Sequence, residues 1–148
     1  MMSCVFCGIL RNELSASRIF ESPLLVAFLD IVPINVGHTL IVPRRHVESF
    51  TDLTSEEASQ LFLTGKLLAT HLKRNLEGCE GISVTLADGV SAGQEVPHAH
   101  LHIIPRRAND GFRWKFPPHY RKVGISRSEL DSVAARIKES LETRGELQ

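Results

Sequence analysis

Three imidazoles stand at alternate positions in Pro97-His98-Ala99-His100-Leu101-His102-Ile103-Ile104-Pro105, drawn from seven histidines in a chain of 148 residues. Imidazole titrates near pH 6.5, attacks through a lone pair, donates through an N–H and ligates metals. The cluster therefore offers acid–base, nucleophilic, anion-binding or metal chemistry at one place. Side chains alternate along a strand, which predicts all three histidines on one face and Ala99, Leu101 and Ile103 against an apolar core. At a rise of about 3.3 Å per residue, same-face neighbours are about 6.6 Å apart, so one zinc with Zn–N near 2 Å takes a neighbouring pair but not the whole set. At least one histidine is left for other work. A lone histidine is ordinarily a satisfied core residue, but three on one face are poorly explained that way.

The preceding Ala92-Gly93-Gln94-Glu95-Val96 delivers the chain to these histidines. Glycine lets backbone N–H groups approach a ligand closely, and successive amides in a turn form an anion nest. Beside the histidines, a phosphate site is a better reading than a plain turn. Cys4-x-x-Cys7 is a metal or redox signal in a chain whose three cysteines cannot all pair. Taken alone it is equally two free thiols, and a thioredoxin-like role is disfavoured because no strand precedes it. Cys79 has no visible partner.

The elements that must hold these residues follow from apolar patterning. Residues 24–29 and the β-branched 39–42 read as buried strands, joined through Pro33 and Gly37 in a hairpin-like connection. Thr54 and Glu57 form a capping box that opens one long central helix, with apolar residues at 58, 61, 62, 68, 69, 72 and 76. Residues 82–86 return to strand character, Asp88-Gly89 turns the chain, and 99–104 is a strand ended by Pro105. A second capped helix starts at Ser126 and Glu129, with Leu130, Val133, Ala134, Ile137 and Leu141 on one face. An α+β sheet with helix cover is expected.

Composition bounds the rest. A chain of 148 residues with 43% hydrophobic content is one domain's worth and needs no disulfide framework. Seventeen basic against 17 acidic residues draw it to neither nucleic acid nor an anionic membrane, so an anion must be met locally. The longest apolar run, residues 24–29, is far short of the roughly 20 residues of a membrane helix, and residues 1–7 lack the apolar stretch of a secretory signal. The expectation is a soluble, cytoplasmic protein in one domain over 1–148, with motifs over about 4–106 and a tail and helix over 107–148.

The residues resemble the histidine triad (HIT) superfamily of nucleotide hydrolases and transferases. The resemblance rests on His98-Ala99-His100-Leu101-His102-Ile103-Ile104, the preceding Ala-Gly-Gln-x-Val-x-His, Phe28-Leu29-Asp30-Ile31, and Pro33-x-x-x-Gly37-His38-Thr39-Leu40-Ile41-Val42-Pro43-x-x-His46. It implies a mainly antiparallel α+β fold whose sheet joins that of a second copy in a homodimer. It also implies a purine nucleotide with its α-phosphate over the triad. His100 then corresponds to the nucleophile that forms a covalent nucleotidyl-histidine, His102 to a donor to a phosphate oxygen, and His38 to a supporting residue on the neighbouring strand. Gly93, Gln94 and Glu95 fall at the phosphate, Asp30 at the ribose hydroxyls, and Phe6, Ile9, Phe28 and Ile31 at the base. Members with the N-terminal cysteine pair hold a structural zinc, which implies Cys4, Cys7, His46 and His98 as its Cys₂His₂ ligands.

The chain departs from that pattern at Ala87, eleven residues before His98, where active members carry Asn or Gln, and at Glu95, where Ser or Thr is common. Residues 110–118 mix aromatics with bases, a composition found as often in a tail packed against a sheet as in one that closes over a second copy's site. The favoured expectation is a zinc-containing hydrolase of purine nucleoside phosphoramidates or adenylates. The alternatives are a dinucleoside polyphosphate hydrolase, a nucleotidyl transferase and a catalytically weakened nucleotide- or partner-binding protein.

Overall fold

The computed structural model describes residues 4–113, 116, 118 and 124–143. Trp114, Lys115 and Pro117 of the aromatic and basic tail lie outside them. The chain divides into two compact units, residues 1–112 and 113–148.

The first unit is a five-stranded antiparallel sheet of order β1-β2-β3-β5-β4: β1 (Arg18–Glu21), β2 (Leu25–Leu29), β3 (Thr39–Pro43), β4 (Gly81–Thr85) and β5 (Leu101–Arg106). Helix α2 (Ser55–Asn75) covers one face, seating Leu61 on Leu25, Ala27, Ile41, Leu101 and Ile103. The short helix α1 (Val5–Leu10) covers the other, where Phe6 and Ile9 meet Val26, Phe28, Leu40 and Val42. These two sets are the alternate residues of β2 and β3, which is why each strand reads as a continuous apolar run: both faces are covered.

The expected capping box is present: Thr54 Oγ1 accepts from the Glu57 N–H at 3.1 Å, and Glu57 Oε2 accepts from the Thr54 N–H at 2.9 Å. The same carboxylate takes Arg45 Nη2 at 2.6 Å and Nε at 3.0 Å, which holds it down to about 2 and clamps the start of α2 to the segment beside His46. Phe62, expected on the apolar face of this helix, is instead 48% exposed, and Thr64 and Gly65 take the sheet side. A Cβ at Gly65 would stand 2.9 Å from Leu101 Cδ2, so the glycine lets the helix lie against the sheet without displacing that side chain.

Three readings change at the last strand. It runs over Leu101–Arg106 rather than 99–104, Pro105 lies inside it, and His98 and His100 precede it. Pro105 is tolerated because its carbonyl faces the β3 side beyond the final pair Thr39↔Ile103, where the Asn35 side chain donates to it at 2.9 Å. The ladder asks for no N–H at that point.

In the second unit, helix α3 (Arg127–Thr143) starts as expected, with Ser126 and Glu129 bonded reciprocally. Its Leu130, Val133 and Ile137 are exposed.

Candidate active site and metal centre

His102 stands opposite Leu40 of β3, and so on the sheet face that α1 covers. His100 lies beside it, ring centroids 4.7 Å apart, while His98 turns toward Cys4 and Cys7. The triad is thus divided between two sites. His38, at the entry to β3, meets His102 from the neighbouring strand.

Main-chain groups determine where each ring carries its proton. His100 Nδ1 lies 2.7 Å from the His98 carbonyl oxygen, which only accepts, so Nδ1 holds the proton and Nε2 keeps a lone pair. His38 Nδ1 lies 3.2 Å from the Ile34 N–H, which only donates, so the His38 proton is on Nε2. That N–H points at His102 Nδ1, 3.0 Å away, and leaves His102 with its proton on Nε2. A lone pair on His100 thereby sits beside an N–H on His102.

Burial, the largest influence on each, pushes His38, His100 and His102 below the ordinary imidazole value. His102 reaches about 4, with His100 and His38 adding to the effect. Asp30 opposes the shift at all three, and Glu95 opposes it at His100. The neutral rings suit attack and donation at pH 7. Because the unfolded chain binds these protons first, stability is complete above about pH 6.5. It is then lost as pH falls toward the folded values, near 4 for His102. Thermal melts between pH 7.5 and 4.5 are expected to show a melting temperature that falls with acid, with protons taken up on unfolding.

Phe6 packs edge-on against His100 at 5.1 Å and against Phe28 at 5.6 Å, and Phe6, Ile9 and Phe28 lie in one buried cluster. Ile31 is separate from that cluster, 89% exposed beside Asp30. Asp30 turns one carboxylate oxygen to the Val32 N–H at 2.9 Å and the other to His38 Nδ1 at 3.6 Å. Gly89 and Gly93 turn the 89–94 loop at φ of 84° and 91°, a backbone region that favours glycine. Within it the Gly93 N–H donates to Val90 O at 2.9 Å and the Gln94 N–H to Gly89 O at 3.1 Å. The Gln94 side chain takes the Gly89 N–H at 2.7 Å and donates to Glu48 O at 2.8 Å. Ala87, half-buried, brings no polar side chain to the site, and the neighbouring Asp88 accepts from Ser49 Oγ at 2.9 Å. The tautomer-setting groups of Ile34, Pro43 and His98 went unread in the sequence because every residue carries a carbonyl and nearly every one an N–H.

Cys4, Cys7, His46 and His98 bring their ligand atoms within 4.8 Å of one another. Zn–S near 2.3 Å and Zn–N near 2.0 Å at tetrahedral angles place sulfur and nitrogen about 3.5 Å apart. The observed Cys4 Sγ to His98 Nδ1, Cys7 Sγ to His46 Nδ1 and Cys7 Sγ to His98 Nδ1 separations are 3.5, 3.3 and 3.7 Å. His98 Nε2 donates to Pro43 O at 2.9 Å, which reserves Nδ1 as the ligating nitrogen, and His46 Nε2 faces Glu48 at 3.7 Å. The residues present fit a closed Cys₂His₂ zinc site. Asp30, His38 and His102 also converge, but His38 Nε2 and His102 Nδ1 are already bonded to each other.

The HIT domain family matches residues 11–109. The chain belongs to that family. An uncharacterized HIT-like protein of Borreliella burgdorferi is 42% identical over 116 residues, 78% of this chain and 84% of that protein. A bifunctional bis(5'-adenosyl)-triphosphatase/adenylylsulfatase of Arabidopsis thaliana is 38% identical over 62% of this HIT chain and 50% of its own length. Among solved HIT structures, one from Bacillus anthracis superposes with a TM-score of 0.83 at 32% identity, covering 94% of this chain and 97% of its own. A Zn-bound histidine triad protein from Mycobacterium smegmatis has a TM-score of 0.72 at 32% identity, covering 91% and 98%. Among the described residues, no helix of this HIT protein is long and apolar enough to cross a membrane.

Proposed function

We propose that this HIT protein is a nucleotide hydrolase or nucleotidyl transferase that cleaves at the α-phosphate of a purine nucleoside phosphoramidate or adenylate. The observation that carries the reading is the pair of proton positions: a lone pair on His100 Nε2 and an N–H on His102 Nε2. His100 Nε2 attacks the α-phosphorus, the bond to the leaving group breaks with its electron pair going to that group, which takes a proton from solvent, and the nucleotidyl group stays on His100. The ring becomes cationic, and the His98 carbonyl, 2.7 Å from its Nδ1–H, stabilises that charge. His102 donates to a phosphate oxygen as charge develops, while the Gly93 and Gln94 N–H groups expected at the phosphate are bonded within their own loop in the ligand-free chain. Water or another acceptor then takes the nucleotidyl group and restores neutral His100. Asp30 is suited to the ribose hydroxyls, and Phe6, Ile9, Phe28 and Ile31 to the base.

Cys4, Cys7, His46 and His98 would hold a structural zinc, which supplies folding energy by joining the N-terminal segment to the sheet. A reducing compartment such as the cytoplasm suits such thiolates. A homodimer with joined sheets is supported by the edge strand β4 and by exposed Val84, Phe62, Leu63 and Leu67.

Rapid mixing with adenosine and guanosine phosphoramidates and polyphosphates, followed by a denaturing quench at alkaline pH, which preserves a P–N bond, and intact-mass measurement, tests the reading. A nucleotidyl adduct that forms and decays at the turnover rate is expected. Turnover with no adduct, and unchanged in a His100 variant, would overturn it.

Dinucleoside polyphosphate hydrolysis is the second reading, favoured by the activity in the name of the Arabidopsis relative and by the missing amide at Ala87. A hydrogen bond to a charged group is worth about 1.5–3 kcal/mol, or about 10- to 150-fold in rate. Ala87→Asn is accordingly expected to raise kcat/KM on a phosphoramidate by about that factor. No gain on any substrate would mean that Ala87 reflects altered specificity or a binding role.

A further inference from the structure

The loop between β2 and β3 does more than connect them. It closes on itself through the Asp30 N–H on His38 O at 2.9 Å and the His38 N–H on Asn35 O at 3.0 Å. One side chain then fastens it to the neighbouring strand β5 and the turn that follows it. Asn35 Nδ2 donates to Pro105 O of β5 at 2.9 Å and to Asp110 Oδ2 at 2.9 Å. Asp110 is itself immobilised by Arg106, whose Nε and Nη2 each lie 2.7 Å from one of its oxygens. Asn35 thus fixes the height of the loop over His38, and with it the Ile34 N–H that meets His38 Nδ1 at 3.2 Å.

That meeting is contested. Asp30 Oδ2 stands 3.6 Å from the same Nδ1 and, as a carboxylate, attracts a proton there. With the Ile34 N–H in place, Nδ1 must stay an acceptor. Without it, the ring gains from carrying a proton toward Asp30. A neutral His38 that makes this change loses its proton at Nε2 and becomes an acceptor toward His102 Nδ1. His102 must then protonate Nδ1 and expose a lone pair, where the proposed chemistry requires an N–H.

We propose that Asn35 is a positioning residue that sets the tautomers of His38 and His102 by holding the Ile34 N–H against His38 in competition with Asp30. The inference rests on the phosphotransfer reading for its relevance to rate, but not for its test. The titratable groups that face His38 are Asp30 from its own loop and His102 from β5, with His100 beyond His102.

Long-range ¹H–¹⁵N correlation of the histidine ring nitrogens in the ligand-free full chain reads the proton positions directly. The wild-type chain is expected to show His38 and His102 protonated at Nε2 alone. Asn35→Ala is expected to move the His38 proton from Nε2 to Nδ1 and to remove the Nε2-only form of His102. Adding Asp30→Asn is expected to restore the wild-type pattern. The Val32 N–H claims one amide position as acceptor at 2.9 Å, which turns the amide NH₂ toward His38 Nδ1 as a second donor. Asn35→Ser, too short to reach both acceptors, provides the same readout where Asn35→Ala does not fold. Unchanged ring patterns in these variants, or no return with Asp30→Asn, would overturn the proposal. On a phosphoramidate, Asn35→Ala is expected to lower kcat about tenfold or more while changing KM little. If the catalytic reading alone is wrong, the ring patterns still shift and no adduct forms in any variant.

Discussion

Replacement of His100 by alanine is expected to reduce single-turnover cleavage of a nucleoside phosphoramidate on the order of 10⁴-fold or more, the scale seen when a covalent nucleophile is removed. Nucleotide affinity is expected to change by only a few fold. The argument is geometric. His100 is the only one of the three triad and supporting rings at the site with its lone pair directed outward, since His38 and His102 both carry their proton on Nε2. Deleting it removes the bond-forming atom but leaves Asp30, His102 and the 89–94 loop in place. His100→Gln, which retains much of the volume beside Phe6, controls for packing. Equilibrium binding of a non-cleavable nucleotide separates lost chemistry from lost affinity. Cleavage within tenfold of wild type in a folded variant would exclude His100 as nucleophile.

Removal of zinc by a chelator is expected to lower the melting temperature by about 8–16 °C. A ligand present at 1,000 times its Kd adds about 4.1 kcal/mol to the folded state, and each kcal/mol moves the midpoint by about 2–4 °C in a chain of this size. Without a metal, burial and the neighbouring Cys4 raise the Cys7 thiol above its usual value, so the unmetallated site favours protonated sulfur. Elemental analysis of protein purified without added metal, with melts before and after chelation, checks this. One zinc per chain and a reversible drop are expected. Cys7→Ser should reproduce the drop and make it insensitive to chelator. A chain free of metal and equally stable would remove zinc from the account.

Local signals were legible and tertiary ones were not. The capping box at Thr54 and Glu57 and the hairpin pairing of β2 with β3 depend on neighbouring residues, and both stand as read. Helix α1 has six residues, one of them Gly8, and no side-chain cap, while β1 has four residues. Neither has a strong pattern of its own, and each is held by packing against β2 that becomes visible only once the sheet is formed. The alternation of His98, His100 and His102 pointed correctly to a cluster but suggested one regular strand face. His98 and His100 actually precede β5, and this irregular backbone lets His98 serve the cysteines while its carbonyl serves His100. Pro105 was read as a terminator because its sequence does not show that β3 has already ended beside it.

The four consecutive residues from His46 to Ser49 are usually the sort of segment in which length varies freely, since they lie between regular elements. In this chain each is attached to something different. His46 faces Cys7, Val47 O accepts the Ala99 N–H at 2.7 Å, Glu48 O accepts from Gln94, and Ser49 Oγ donates to Asp88. One added or deleted residue would put every later attachment out of step at once, displacing the loop before the triad relative to the cysteine site. The segment therefore has the irregular backbone of a loop but the fixed length of a strand. Functional insertions in this scaffold belong elsewhere, and a related chain that differs in length between His46 and Ser49 should differ in its metal site and its phosphate loop together.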